Sequence, residues 1–576
     1  MGPATRVGQY FHAMKYRATG EDFREGNNRV ASALQDSDLH YHLIREITGN
    51  QRFMFAGRIQ AAMGSARATT PYNCYVSGRI EDSFVTGEGN IMQRAAEAAS
   101  TMRMGGGIGY DFSTLRPRGD LVRKLQSHSS GPVSFMRIFN EICRCVASSG
   151  HRRGAQMGVM RVDHPDIEEF INAKHNLTDL TGFNLSIAVT DEFMQSVVEE
   201  RDFDLRWGGN TYKTVSAPAL WESIMRSTWD WGEPGVLFVD RINEMNNLWY
   251  CEEIAATNPC GEQPLPPFGA CLLGSWNMTK YIKPVAARPV GELSWQFDFD
   301  QLRADIPPIL RAMDNVIDRA RYPLPQQEHE AKTKRRVGMG VTGMANALEA
   351  MGLPYGTLEY IAMQDNILRL IAVESYRASA LLAAEKGAFP LFDADKYLQG
   401  KFVQRLGEAE PELLNLIRQH GIRNSHLTSI APTGTISLCA DNCSSGIEPV
   451  FDYEQVRPVN TPAGQELVEV QDYGVREFGV RGRRAHDVTA QEHIAVLSSA
   501  QRWVDSAVSK TTNMDSSMPW KDFKQLYLTA WTSGAKGCTT FNNDGKRVAL
   551  LTGKTKAQDR GETCEIDPVT GLRECG

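Results

Sequence analysis

Asn258-Pro259-Cys260-Gly261-Glu262 sets an amide, a thiol and a carboxylate two residues apart. In an extended backbone alternate side chains share a face, so the three would meet one target with neighbours roughly 6–7 Å apart. Pro259 holds Asn258 out of the helical region, and Gly261 leaves a ligand room to approach. The same residues also spell a surface turn, because Asn-Pro initiates turns, Gly follows them, and a single cysteine is more often a small buried hydrophobe than a nucleophile. Cys271, in Ala270-Cys271-Leu272-Leu273-Gly274-Ser275, tips the balance toward chemistry, together with distant segments that make sense only beside it.

The chain has 576 residues, 42% of them hydrophobic and 23% charged, with a formal charge of −7, so it can bury a large core but offers no basic surface for nucleic acid. A local anion site stays open to it. Eleven cysteines at this length lack the density of a disulfide scaffold, and Met1-Gly2-Pro3-Ala4-Thr5-Arg6 leads into no apolar signal core. No run approaches the roughly 18 apolar residues that span a bilayer. The expectation is a reducing, cytoplasmic setting without a membrane partner, in which cysteines do chemistry.

Residues 1–60 read as a small helical region, 61–541 as an α/β body, and 542–576 as a flexible tail carrying Cys564 and Cys575. Ile91, Ala95, Ala99 and Met102 predict a helix stopped by Gly105, Ile309 to Ala320 a second, and a longer one ends at Gly387. No pattern of metal ligands stands out, and His40 and His42 read as solvated.

Leu427-Thr428-Ser429-Ile430-Ala431 reads as a buried strand entering Pro432-Thr433-Gly434-Thr435-Ile436, a small-residue turn suited to holding a phosphate by its amides. No Walker lysine follows, and a plain turn fits equally well. Gly338-Met339-Gly340-Val341-Thr342-Gly343 matches the dinucleotide fingerprint, which makes a NAD-dependent dehydrogenase the rival reading. The preceding Lys334-Arg335-Arg336 is a charge run where that fingerprint needs a strand, and tight helix-to-barrel packing explains the glycines.

Asn258-Pro259-Cys260-Gly261-Glu262 with Cys271, Asn73-Cys74 upstream and Ala431-Pro432-Thr433-Gly434-Thr435-Ile436 downstream resembles the catalytic (large, alpha) subunit of ribonucleotide reductase. Gly105-Gly106-Gly107-Ile108-Gly109, His164-Pro165-Asp166-Ile167 and Ser445-Gly446-Ile447-Glu448-Pro449 extend the likeness from about residue 55 to 547. The resemblance implies a ten-stranded α/β barrel, two antiparallel-related parallel halves of five strands, with a central finger loop carrying Cys260 into a buried, dry centre. It implies a Cys260 thiyl radical, Glu262 as base, Asn258 as positioner, and Cys74 with Cys271 closing into a disulfide. Asn73, Gly107, Pro432, Thr433, Gly434, Thr435 and Ile436 would bind the ribonucleotide. Cys564 and Cys575 would relay electrons from a thioredoxin- or glutaredoxin-type reductant, although the ten residues between them exceed the family's usual tail spacing.

The resemblance further implies a homodimer and a specificity site for dNTP and ATP effectors at Asp82, Ser83 and Arg116, relayed by Arg152, Arg153 and Gln156. An N-terminal ATP cone is expected to be absent, since only about 70 residues precede Cys74. For the radical, Ser509-Lys510-Thr511-Thr512-Asn513, Lys536-Gly537 and the lack of any Tyr-Tyr pair resemble the adenosylcobalamin-dependent form, with no metal in the chain. Phe541, where that form often has tyrosine, and the terminal Cys-Gly resemble the alternative, in which a separate ferritin-like beta subunit supplies the radical.

Overall fold

A computed structural model describes residues 2–123, 125–146, 155–176, 178–285, 294–461, 464–514, 517–542 and 546, with short strands at Glu565–Ile566 and Arg573–Glu574. Arg152, Arg153, Cys564 and Cys575 lie outside the described residues.

Strands Cys74–Val76, Gly107–Asp111, Gln156–Arg161, Phe183–Val189 and Gly235–Phe238 run parallel, each bonded to the next. Helices Ile91–Arg103, Pro132–Cys145 and Ala217–Trp231 lie on connections between them. At both edges the direction reverses. Gly235–Phe238 pairs antiparallel with Gly537–Asn542, itself parallel to Thr511–Met514. Cys74–Val76 pairs antiparallel with Ala270–Asn277, itself parallel to Val337–Thr342. Strand Phe53–Phe55 joins Ala270–Asn277 and completes a ten-stranded sheet. Residues 427–430 touch Val337–Thr342 and the run into Thr511–Met514 by single parallel bridges, Met339 to Thr428 and Ile430 to Val508.

Strands covered on both faces must be apolar on both, which explains their near-continuous burial. Alternation sends Ile108, Tyr110, Met160 and Ile187 under the helices, while Val76, Met157, Val159, Ala188 and Leu237 form a second, inner cluster with Ala256, Leu265 and Cys271.

The helical expectations hold at Ile91–Arg103, started by Asn90 accepting from the Gln93 amide at 2.9 Å, at Phe299–Arg319, and at Leu358–Lys386, which ends at Gly387. Three helices, Arg6–Tyr16, Phe23–Leu34 and Asp38–Gly49, occupy the start of the chain. His40 is buried rather than solvated, with Nε2 2.8 Å from the Pro308 carbonyl, because its face of the helix packs on Phe299–Arg319.

Gly338 and Gly340 sit within strand Val337–Thr342, and their reason is strand packing rather than helix packing. A Cβ on Gly340 would meet the Ser429 carbonyl at 2.2 Å. The charge run before them is internal: Arg336 is paired with Glu252 and Glu330, and Arg335 with Asp314 at 2.9 Å. Burial without these partners would be prohibitive for a guanidinium.

Candidate active site

The Asn258 to Glu262 stretch is the tip of a hairpin, not an extended run. Ala256–Thr257 pairs antiparallel with Pro264–Leu265, and the Asn258 amide donates to the Gln263 carbonyl at 3.1 Å. Gln263 N–H donates to Asn258 Oδ1 at 2.9 Å, and Gly261 N–H returns to the Asn258 carbonyl at 3.1 Å. Asn first, Pro second and Gly fourth is the residue preference of a type I turn, and Gly261 takes φ +81°. A hairpin satisfies its own backbone groups where a lone extended segment inside the protein could not. Asn258 and Glu262 are buried on its flanks while Cys260, at the apex, is exposed, so the dry enclosure expected for Cys260 belongs to its neighbours instead.

Two glycines seat the finger. A Cβ on Gly109 would lie 1.8 Å from the Thr257 carbonyl, and one on Gly107 3.2 Å from Pro259 Cγ. Asn184 Nδ2 donates to the Pro259 carbonyl at 2.9 Å, and the Ala507 amide and Ser429 hydroxyl each donate to the Glu262 carbonyl at 3.0 Å. The finger is thereby tied to three surrounding segments.

Cys74 and Cys271 are direct partners across the antiparallel ladder, and both are buried thiols. Partners in such a ladder have Cα atoms about 4.5–5.5 Å apart, inside the window a disulfide needs. Asn258 Nδ2 donates to Cys74 Sγ at 3.0 Å, and the Cys74 thiol donates to Glu262 Oε1 at 3.6 Å. Burial pushes both thiols well up, Cys74 further by the nearby Glu262 charge, and burial raises Glu262 above the ordinary carboxylate range. Glu262 Oε2 and Asn73 Oδ1 are buried without a hydrogen-bond partner among the described residues. Chemically, the arrangement can pass two electrons from the opposed thiols and one proton to a carboxylate.

Residues 432–436 run into the short helix Gly434–Cys439. Thr433 takes φ +55°, and its hydroxyl accepts from the Gly446 amide at 2.7 Å and meets Thr342 Oγ1 at 3.1 Å. Gly434 is exposed, with nothing within 4 Å of where a side chain would begin. Asn73 offers its carbonyl to the Gly107 amide at 2.9 Å, so those two expected residues are adjacent.

Asp82 and Arg116 also meet, at 2.6 Å, and the Arg116 amide donates to the same carboxylate. Ser83 Oγ lies 2.8 Å from Thr86 Oγ1. Gln156 does not join them: its carbonyl accepts from Tyr110 and its amide donates to Phe139, inside the core. Lys510 and Lys536 are built into the wall. Lys510 Nζ lies 2.7 Å from Glu448 and 2.9 Å from His493 Nδ1, and Lys536 donates to the Asp505 and Ser506 carbonyls while burial lowers it to about 7. No motif announced Asn184; its signal is the polar alternation in Phe183-Asn184-Leu185-Ser186-Ile187. Gln263, buried with both amide atoms unpartnered among the described residues, gave none.

A cysteine-tipped finger above two opposed thiols, held in a parallel-dominated α/β sheet, is the framework of a thiol redox protein. A family profile described as the ribonucleotide reductase barrel domain matches residues 73–481 and 482–541, and the chain belongs to the ribonucleotide reductase family. A vitamin B12-dependent ribonucleoside-diphosphate reductase of Thermoplasma acidophilum is 34% identical over 525 residues, covering 85% of this chain and 64% of the relative. One of Mycobacterium tuberculosis is 34% identical over 506 residues, covering 82% and 68%. A ribonucleoside-diphosphate reductase subunit alpha of Chlamydia pneumoniae is 24% identical over 549 residues, covering 81% and 51%. The chain thus spans 64% and 68% of the length of the first two relatives. Among the described residues no helix is long and apolar enough to cross a membrane.

Proposed function

We propose that the chain reduces ribonucleotides to 2′-deoxyribonucleotides by thiyl-radical chemistry with adenosylcobalamin as the radical source. The observation that carries this is Cys74 facing Cys271 beneath a finger that presents Asn258, Cys260 and Glu262. Cys260, once a thiyl radical, takes the 3′ hydrogen of the ribose. Glu262 accepts the proton of the 3′ hydroxyl through Oε2, with Asn258 and Asn73 orienting the sugar. Cys74 and Cys271 then supply two electrons and two hydrogens as they close into a disulfide, and the 2′ hydroxyl leaves as water.

The vitamin B12-dependent relatives favour the cobalamin form, and the finger fits it. Cys260 is exposed, and a side chain on Gly261 would meet nothing within 4 Å, so a bulky group has access to the sulfur. When bound, adenosylcobalamin supplies a carbon-centred radical able to take a thiol hydrogen. Asn184, Thr539 and Phe541, whose positions share one face of adjoining strands, would border it. In the same reading residues 427–430 complete a closed ring of ten strands in residues 61–541, residues 1–60 brace it, and residues 542–576 carry Cys564 and Cys575 as a shuttle for an external dithiol protein. Residues 432–436 hold the substrate phosphates. Asp82, Ser83 and Arg116 receive a nucleoside triphosphate effector near a dimer contact, with Arg152 and Arg153 relaying it and Gln156 supporting the relay strand from the core.

Purified chain with adenosylcobalamin, a dithiol and a ribonucleotide should yield deoxynucleotide without a second protein, and Cys260→Ser should abolish it. Turnover that begins only when a metal-containing protein is added would overturn the choice of radical source.

A further inference from the structure

We propose that Asp441 fastens Ala4 and Thr5 to the back of the substrate loop, and that this strap sets how tightly the loop holds a nucleotide phosphate. The inference rests on the reading of residues 432–436 given above. Asp441 and Asn442 follow the helix Gly434–Cys439 closely, and both take φ +61°. Two successive non-glycine residues in the left-handed region persist only where the surroundings hold them.

Here the holding is specific. The Ala4 amide donates to both Asp441 carboxylate oxygens, at 2.8 and 3.0 Å, and the Thr5 amide and hydroxyl donate to Oδ1 at 2.8 and 2.9 Å. Several donors converge on one carboxylate, a charge-assisted arrangement stronger than neutral pairs. Thr5 Oγ1 in turn accepts from the Gly8 amide and so starts the helix Arg6–Tyr16. That helix lies against the loop helix: a Cβ on Gly8 would stand 3.1 Å from the Leu438 carbonyl. Buried Gln51 donates to the Cys439 carbonyl at 2.8 Å. From the other side Arg476 donates to the Asp441 carbonyl at 2.8 Å. The gripped helix is only about 9 Å long, so a shift at Asp441 moves the amides at Gly434, Thr435 and Ile436 with it. Asp441 touches no substrate in this reading; it is a positioning residue.

The test compares Asp441→Gly, which keeps the left-handed backbone without strain but loses the carboxylate, with Asp441→Asn, which keeps an acceptor oxygen. Equilibrium binding of CDP and of CTP, with pyrophosphate as competitor, is measured beside KM and kcat on samples whose thermal midpoint shows them folded. Asp441→Gly should weaken nucleotide binding and raise KM about tenfold with kcat at saturation nearly kept, and Asp441→Asn should recover most of the loss. Thr5→Val, which removes one donor to Asp441 and the cap of the helix Arg6–Tyr16, should raise KM in the same direction by about threefold and serves where Asp441→Gly does not fold. Unchanged affinity in Asp441→Gly, a fall in kcat alone, or an unaltered KM in Thr5→Val overturns the strap. Wild-type chain that binds neither nucleotide removes the loop reading itself, a result distinct from wild-type binding that the variants leave untouched.

Discussion

Cys74 and Cys271 stand directly opposite each other in an antiparallel ladder, with Asn258 reaching the first of them at 3.0 Å. Mild oxidation with diamide should therefore join these two before other pairs among the described residues. Peptide mapping under non-reducing conditions checks it; a dominant cross-link that omits either sulfur would remove them from the electron-delivering role.

Glu262→Gln should retain nucleotide binding while kcat falls by about 10²–10⁴-fold, the usual worth of a placed general base. Burial raises this carboxyl above its ordinary 4.5, so the acidic limb of the wild-type kcat/KM profile should lie above that of a solvent-exposed glutamate. A limb at the ordinary position, or one unchanged in the variant, counts against Glu262 as the base.

Gly109→Ala should unseat the finger, because the new methyl would lie 1.8 Å from a backbone carbonyl that has no rotamer to escape into. The expected destabilisation is about 3 kcal/mol or more, with loss of turnover. Gly107→Ala, at 3.2 Å from a proline ring atom, should be milder in both respects. Thermal melts and activity assays on the two variants provide the comparison.

Glu349 is buried beside Asp472, accepts from the Arg483 and Tyr355 amides, and is raised from 4.5 to about 7 by desolvation. Its folded value lies above its unfolded one, so the folded state holds the proton more tightly. The stabilisation is fully present below 4.5 and is lost as pH rises through about 7. Glu349→Gln should leave stability near about pH 5 little changed and gain up to about 3 kcal/mol over wild type near about pH 8. Chemical unfolding at the two pH values decides it.

Much of this was legible in the residues. Apolar spacing located Ile91–Arg103 and Leu358–Lys386, and the two-residue spacing of Asn258, Cys260 and Glu262 singled out the finger. Its backbone shape was not legible, since Asn-Pro-Cys-Gly serves a turn as readily as an extended run and only the pairing of Ala256 with Leu265 chooses between them. The surroundings of Gln156 were not legible, because a strand residue's face depends on register, which places its amide under Phe139. His40 misled for a related reason: polarity predicts solvent unless a partner from far along the chain, here the Pro308 carbonyl, is known.

The three sulfurs differ in the traffic they admit. Cys74 is 4% exposed and Cys271 not at all, whereas Cys260 stands open. In the reading proposed above, an external dithiol protein could not lay its own sulfur against sulfurs as enclosed as this inner pair. Recharging that pair would, in the same reading, call for something slender, a single strand of polypeptide threaded inward.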